Sequence, residues 1–265
     1  MQENEMSKTI YYSDELNDEF SGFEPKHFFI PDDYEYIHKN IFYRLQSWIV
    51  YRLFMTPIAF FHSRFSLHQK FVNRKILKPY RKQGYFIYGN HTQQLGGAYT
   101  PNLLCYPKRV YIIVNPDNLA VKGLKTILQM SGALPLPSSL AGMKNFMYAV
   151  EKRNVQGHVI CIYPEAHIWP YCTKIRPFKS TSFRYPGKLG CPVFAFTDCY
   201  KKRKVGKTPR IVTYVDGPFF PDASLNAAEQ ATKLRNQVYE AMCARAEAES
   251  TYSVINYIKK EEANS

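Results

Sequence analysis

Short apolar runs recur from residue 85 onward: YFIY at 85–88, VYIIV at 110–114, ALPL at 133–136, HVICIY at 158–163, PVFAFT at 192–197 and RIVTYV at 210–215. Each has the length of a strand. Between most of them lie stretches with helical spacing, at 121–130, 141–153 and roughly 180–189. Strands alternating with helices predict an α/β fold, a mixed and largely parallel sheet flanked by helices. A long terminal helix is expected over 224–249, where Ala231, Leu234, Val238 and Met242 recur at spacings of three and four. Asp222 or Ser224 stands where its N-cap belongs.

Upstream the pattern changes. Residues 41–61, IFYRLQSWIVYRLFMTPIAFF, are apolar almost all the way round, broken by Arg44, Arg52 and Pro57. A transmembrane helix needs about 20 predominantly apolar residues. The longest uncharged run here covers only 53–61, so the segment is not expected to span. Aromatics such as Trp48, Phe54, Phe60 and Phe61 beside arginines suit an N-terminal interfacial helix; a buried core helix has the same pattern. The chain thus divides into an acidic, loosely packed lead-in (1–35), a helical interfacial segment (36–80) and an α/β domain with a C-terminal helix (81–265).

Charge sharpens this division. Residues 1–35 hold ten acids and two bases, while residues 36–265 hold 33 bases and 12 acids. Such a body is attracted to anionic partners. The KKRK run within YKKRKVGKTP, 200–209, has the composition of a nuclear signal or a nucleic-acid patch; a solvated turn is the plainer reading, and attraction to anionic lipid is the best functional alternative to it. No nucleic-acid recognition module accompanies the charge, so nucleic acid is not expected. The six cysteines form no C-x-x-C pair, and the N-terminus lacks the basic-then-apolar order of a signal peptide. Free, mostly buried thiols in a reducing compartment are expected. His158 with Cys161 and His167 with Cys172 lack a second pair at ligand spacing, so no metal is expected. No P-loop or GxGxxG follows a strand.

Candidate chemistry lies in three stretches. GNHTQQLGGAYTP, 89–101, places His91 at the end of the YFIY run. YPEAHIWPY, 163–171, places Glu165 after the run VICIY. IRPFKS, 175–180, precedes PVFAF at 192–196. In this order they resemble the blocks of the glycerolipid acyltransferase family, which includes the bacterial 1-acyl-glycerol-3-phosphate acyltransferases. The resemblance covers roughly residues 85–200. Three positions depart from it. Gly96 stands where the NHxxxxD block has aspartate, with Gly97 beside it. Ser138 ends GALPLPS where the family has arginine. The third block, PEGTRS in the family, reads Pro164-Glu165-Ala166-His167-Ile168-Trp169 here.

The resemblance implies transfer of a fatty acyl group from an acyl thioester, acyl-CoA or acyl carrier protein, to a lysophospholipid or glycerol-phosphate-type hydroxyl. It implies no bound cofactor. His91 is the expected base, since histidine titrates near neutrality. Glu165 is expected to orient it or to position substrate, and Asp198 is the other carboxylate near a strand end. Asn90, Thr92, His167, Arg176 and Lys179 are the expected substrate contacts, the last two gripping a phosphate in place of the missing arginines. The expected partners are the acyl donor, a phosphorylated lipid acceptor and an anionic membrane surface, with the protein peripheral or monotopic on its cytoplasmic face. The departures leave a second expectation, a catalytically degenerate lipid-binding relative.

Overall fold

A computed structural model describes residues 8–22, 27–120, 123–206 and 208–260. In chain order these form β1 (Lys8–Tyr12), α1 (Ile41–Ile49), α2 (Thr56–Phe61), β2 (Lys70–Val72), β3 (Tyr85–Gly89) and α3 (Gly96–Leu104). Then come β4 (Val110–Val114), α4 (Lys125–Met130), β5 (Ala133–Pro135), α5 (Leu140–Val155) and β6 (Val159–Ile162). The chain closes with α6 (Arg184–Leu189), β7 (Val193–Lys201), β8 (Arg210–Phe219), α7 (Ala227–Glu249) and β9 (Ile255–Lys259). Seven strands make one sheet in the order β2-β8-β7-β3-β6-β4-β5. Only β7 and β8 run antiparallel. The expected mixed, largely parallel α/β architecture is what the chain adopts.

The central strands are apolar along their whole length because both faces are covered. Phe86, Tyr88, Ile160, Ile162 and Val193 point to the layer of α5 and α7, where Phe146, Val150, Leu234, Val238 and Met242 meet them. Tyr85, Ile87, Cys161, Phe194 and Phe196 point the other way, onto Leu77 and Leu104. Burying a large apolar side chain in such a layer contributes about 1.5–3 kcal/mol.

Several boundaries differ from the sequence-based expectation. The N-cap of α7 is Asn226, whose side chain accepts from Ala228 and Glu229 N–H while Glu229 reaches back to Asn226 N–H. Asp222 instead closes a turn onto Ser224. α4 begins at Lys125; residues 121–122 of the expected helix lie outside the described residues. The stretch 180–189 is a short 3₁₀ turn followed by α6. α3 was not expected, since Gly96, Gly97 and Pro101 all disfavour a helix; burial of most of its residues overrides that propensity.

The described part of the acidic N-terminal stretch, 8–22 and 27–35, is packed rather than loose. β1 pairs in parallel with β9, and Ile30, Tyr34 and Tyr36 are buried in the core. α1 and α2 join two π-helical pieces, Val50–Met55 and His62–Ser66, into one helical run over 41–66. The wide turn, with Thr56 N–H reaching Tyr51 O, admits Pro57 at the start of α2. Ser47, Tyr51, Ala59 and Ser63 form its buried side. Ile41, Phe42, Leu45, Trp48, Leu53, Phe54, Ile58, Phe60, Phe61 and Phe65 are exposed on the rest, so the run is no core helix. Among the described residues no helix is long and apolar enough to cross a membrane.

Candidate active site

β3 delivers Asn90 and His91 to the carboxyl edge of the sheet, where open α/β folds place their ligands. Asn90 fixes the strand end. Its amide donates to Asp198 O at 3.1 Å and accepts from Asp198 N–H at 2.8 Å, tying β3 to β7. Gly89 is required just before it, because a Cβ there would lie 2.0 Å from Cζ of Phe196. The parallel register pairs Tyr88 with Ile162, which brings Tyr163 alongside the end of β3.

Glu165 is buried and engages His91 through the main chain. Its Oε2 accepts His91 N–H at 2.9 Å and its Oε1 accepts Arg176 N–H at 3.0 Å. The Arg176 guanidinium lies 3.4 Å from Oε2, is itself buried, and donates to the carbonyls of His167 and Glu15. Burial pushes the Glu165 carboxyl above its ordinary range, against the pull of Arg176 and the two amides. Trp169 N–H to His91 O and Tyr171 N–H to Thr92 O complete the seam between the two loops. Ala166 stands at φ 63°, left-handed backbone, at the position of the glycine in the PEGTRS block.

The imidazole itself stacks on Tyr163, centroids 4.3 Å apart and planes within 20°. The Tyr163 hydroxyl donates to Gly97 O at 2.6 Å. Nδ1 of His91 is buried without a hydrogen-bond partner among the described residues. Burial lowers the pKa of the ring to about 4, so it is neutral at pH 7. A neutral ring is competent to accept a proton, yet no described residue accepts from Nδ1–H to hold the tautomer that leaves Nε2 free as base. Neither Glu165 nor Asp198 hydrogen-bonds the ring; Asp198 accepts from Thr213 Oγ1, and burial raises it to about 6.

The other expected residues separate into two groups. Thr92 turns inward, its hydroxyl accepting from Tyr200 OH at 2.7 Å. Arg176 lies under Trp169, with 4.8 Å from guanidinium to ring, whereas Lys179 is exposed. They share no surface. His167 meets Glu19 at 3.3 Å. Glu19 belongs to an N-terminal strap over this edge: Trp169 donates to Asp18 O, Phe20 N–H reaches Ile168 O, and Tyr12, Phe20 and Tyr257 surround the Trp169 ring. Sequence reasoning missed Tyr163 as a ring partner and the strap altogether. The phase of strand β6 places Tyr163; nothing local in the sequence announces the strap. All six cysteines are free, five of them buried. Among the described residues no three His, Cys, Asp or Glu side chains converge as metal ligands.

A buried parallel sheet presenting a neutral histidine at its carboxyl edge is an arrangement for general-base chemistry on a bound substrate. The Acyltransferase family model matches residues 67–197 of this chain, a span that holds His91, Glu165 and Arg176. Across that span the chain is similar to the acyltransferase family. No curated protein matches it. A solved structure similar to it is the 1-acyl-sn-glycerophosphate (LPA) acyltransferase PlsC from Thermotoga maritima, with 14% identity and a TM-score of 0.46. That match covers 80% of this chain and 97% of the other.

Proposed function

We propose that the protein transfers a fatty acyl group from acyl-CoA or acyl carrier protein to the hydroxyl of a lysophospholipid or glycerol-phosphate-type acceptor, on the cytoplasmic face of an anionic membrane. The observation that carries this reading is His91, neutral and presented at the carboxyl edge of the sheet within an acyltransferase-family domain. In the reaction His91 Nε2 takes the acceptor hydroxyl proton as its oxygen attacks the thioester carbonyl. The C–S bond then breaks and the thiolate leaves with that proton. Glu165 acts by fixing the His91 main chain, and Tyr163 by holding the ring plane. Lys179, exposed on the IRPFKS stretch, is the cation free to meet an acceptor phosphate. The exposed apolar side of the 41–66 run lies on the bilayer that supplies the lipid.

The unpartnered Nδ1 favours a second reading, a lipid-binding relative without turnover. Release of thiol from acyl-CoA in the presence of lysophosphatidate separates the two. Turnover that falls at least about a hundredfold in a folded His91→Ala variant supports catalysis. Equal rates in wild type and variant remove His91 from the chemistry, and absent turnover with retained lipid binding leaves the second reading.

A further inference from the structure

A cavity of about 600 Å³ opens at the opposite, amino edge of the sheet, between the start of the 41–66 run and the residues that precede β4 and β6. The row Tyr85–Val159–Val110 marks that edge. Arg109 lies one residue before it and His91 six residues after, so roughly 20 Å of strand separates cavity from candidate base. Six lysines and arginines line it against one carboxylate, Glu35, which is already paired with His38 at 3.1 Å.

The arginines are held in place but left uncompensated. Arg109 packs on the rings of Tyr51 and Tyr111, at 4.8 and 5.1 Å, and donates to Ser47 Oγ at 2.7 Å. Arg153 covers the Tyr111 ring at 4.6 Å. Arg52 donates to Pro107 O. None of these, nor Arg44, forms an ion pair with a carboxylate among the described residues. Four buried polar atoms around this one cavity have no hydrogen-bond partner among the described residues: Arg109 Nε, Arg153 Nε, Arg52 Nη1 and the Tyr43 hydroxyl. Clustered guanidiniums repel one another, and buried donors left unmade cost stability. An anion with several acceptor oxygens relieves both.

We propose that this cavity is a phosphate-headgroup site for an anionic phospholipid of the bilayer on which the 41–66 run lies. It rests on the membrane-surface reading above and not on acyl transfer. The occupant follows from what adjoins the cationic ring. Trp48 lines the cavity and is 53% exposed, and Ile41, Phe42 and Leu45 are exposed beside Arg44 on the same helix. Tryptophan settles at the headgroup level of a bilayer, the depth of the lipid phosphate. A soluble phosphate ligand has no use for that apolar rim.

The test is binding of the full chain to phosphatidylcholine vesicles with and without about one-fifth phosphatidic acid. Arg109→Gln/Arg153→Gln should weaken partitioning onto the acidic vesicles by more than about tenfold and leave the neutral ones unchanged. Lys202→Gln/Lys204→Gln removes the same charge from the exposed loop after β7 and should cost less than about threefold. Because Arg109 and Arg153 also pack on aromatic rings, Arg44→Gln/Lys152→Gln, nearer solvent, serves if the first pair unfolds. Equal losses from cavity and loop overturn the proposal in favour of diffuse charge attraction. Glycerol 3-phosphate, followed through the His158 ring resonances, supplies the second arm. Resonances that move with it, while the cavity variants bind vesicles as wild type does, overturn the lipid assignment in favour of a soluble phosphate. No acyl donor is present, so failed acyl transfer leaves this result intact.

Discussion

Gly97, not Gly96, faces the candidate base: a Cβ at Gly97 would lie 3.5 Å from His91 Nδ1 and 3.3 Å from Cε1. A Cβ at Gly96 points elsewhere, 2.8 Å from Cβ of buried Gln93 and 3.3 Å from Leu67 Cδ1. The residue that aligns with the family's aspartate is therefore one position away from the place where a carboxylate reaches the ring. Gly97→Asp should supply the missing acceptor for Nδ1–H, raise the His91 pKa above about 4 and increase turnover at least about tenfold. Gly96→Asp should do neither and should cost about 1–3 kcal/mol through overpacking. The pH–rate profile and the thermal midpoint of each variant check this. Activity gained by Gly96→Asp alone would show that the loop rearranges.

Glu165 and Arg176 are coupled. Glu165→Gln leaves a buried guanidinium facing a neutral amide, and breaking a buried pair typically costs about 3–5 kcal/mol. Turnover should fall with it, because the His91 main chain is held by the same carboxylate. A double-mutant cycle with Arg176→Met should return a coupling energy above about 1 kcal/mol. Additive losses would mean that the two side chains act separately.

Ala166 is strained. A non-glycine residue at φ 63° costs roughly 1–2 kcal/mol, so Ala166→Gly should stabilise the fold by about 1 kcal/mol once the added freedom of the unfolded chain is counted. Urea denaturation at unchanged m-value measures it, and a destabilised variant would deny that the strain exists.

Stability should fall as pH drops from about 6.5 toward 4. Burial lowers both His91 and His158 to about 4, so in that window the unfolded chain takes up protons that the folded chain refuses. Asp198, raised to about 6 by burial, has the opposite sign: the folded chain holds its proton where the unfolded chain has lost it. His91→Asn should make the acid loss shallower, and Asp198→Asn should make it steeper. Denaturant midpoints at pH 4.5 and 7 for the three proteins decide it, with parallel slopes as the contrary outcome.

The central strands were legible because β3, β6 and β7 are covered on both faces and must be apolar throughout. Asn90, His91 and Glu165 were legible as blocks at strand ends. What escaped depends on contacts distant in sequence. α3 forms against its own glycines and proline, the N-terminal strap is held by Trp169 and β9, and Glu165 turns to an amide rather than the ring. The phase that aims Gly97 at His91 is set by how α3 packs, which no spacing rule carries.

The exposed side of the 41–66 run can be tested without disturbing the core. Trp48, Phe54, Phe60 and Phe61 are each about half exposed, so replacing them with serine removes little that folding has buried. In an interface each of these rings transfers its free half out of water, worth roughly 1 kcal/mol apiece. Loss of all four should weaken binding to vesicles by at least about a hundredfold, while the thermal midpoint moves by only a few degrees. Neutral phosphatidylcholine should show this loss as fully as acidic vesicles, because the lost interaction is apolar and independent of the cationic cavity. If the wild type is instead a dimer in solution, and the four-serine variant is a monomer that binds vesicles unchanged, the face belongs to a second copy of the chain. Flotation and sedimentation on the same samples separate these outcomes.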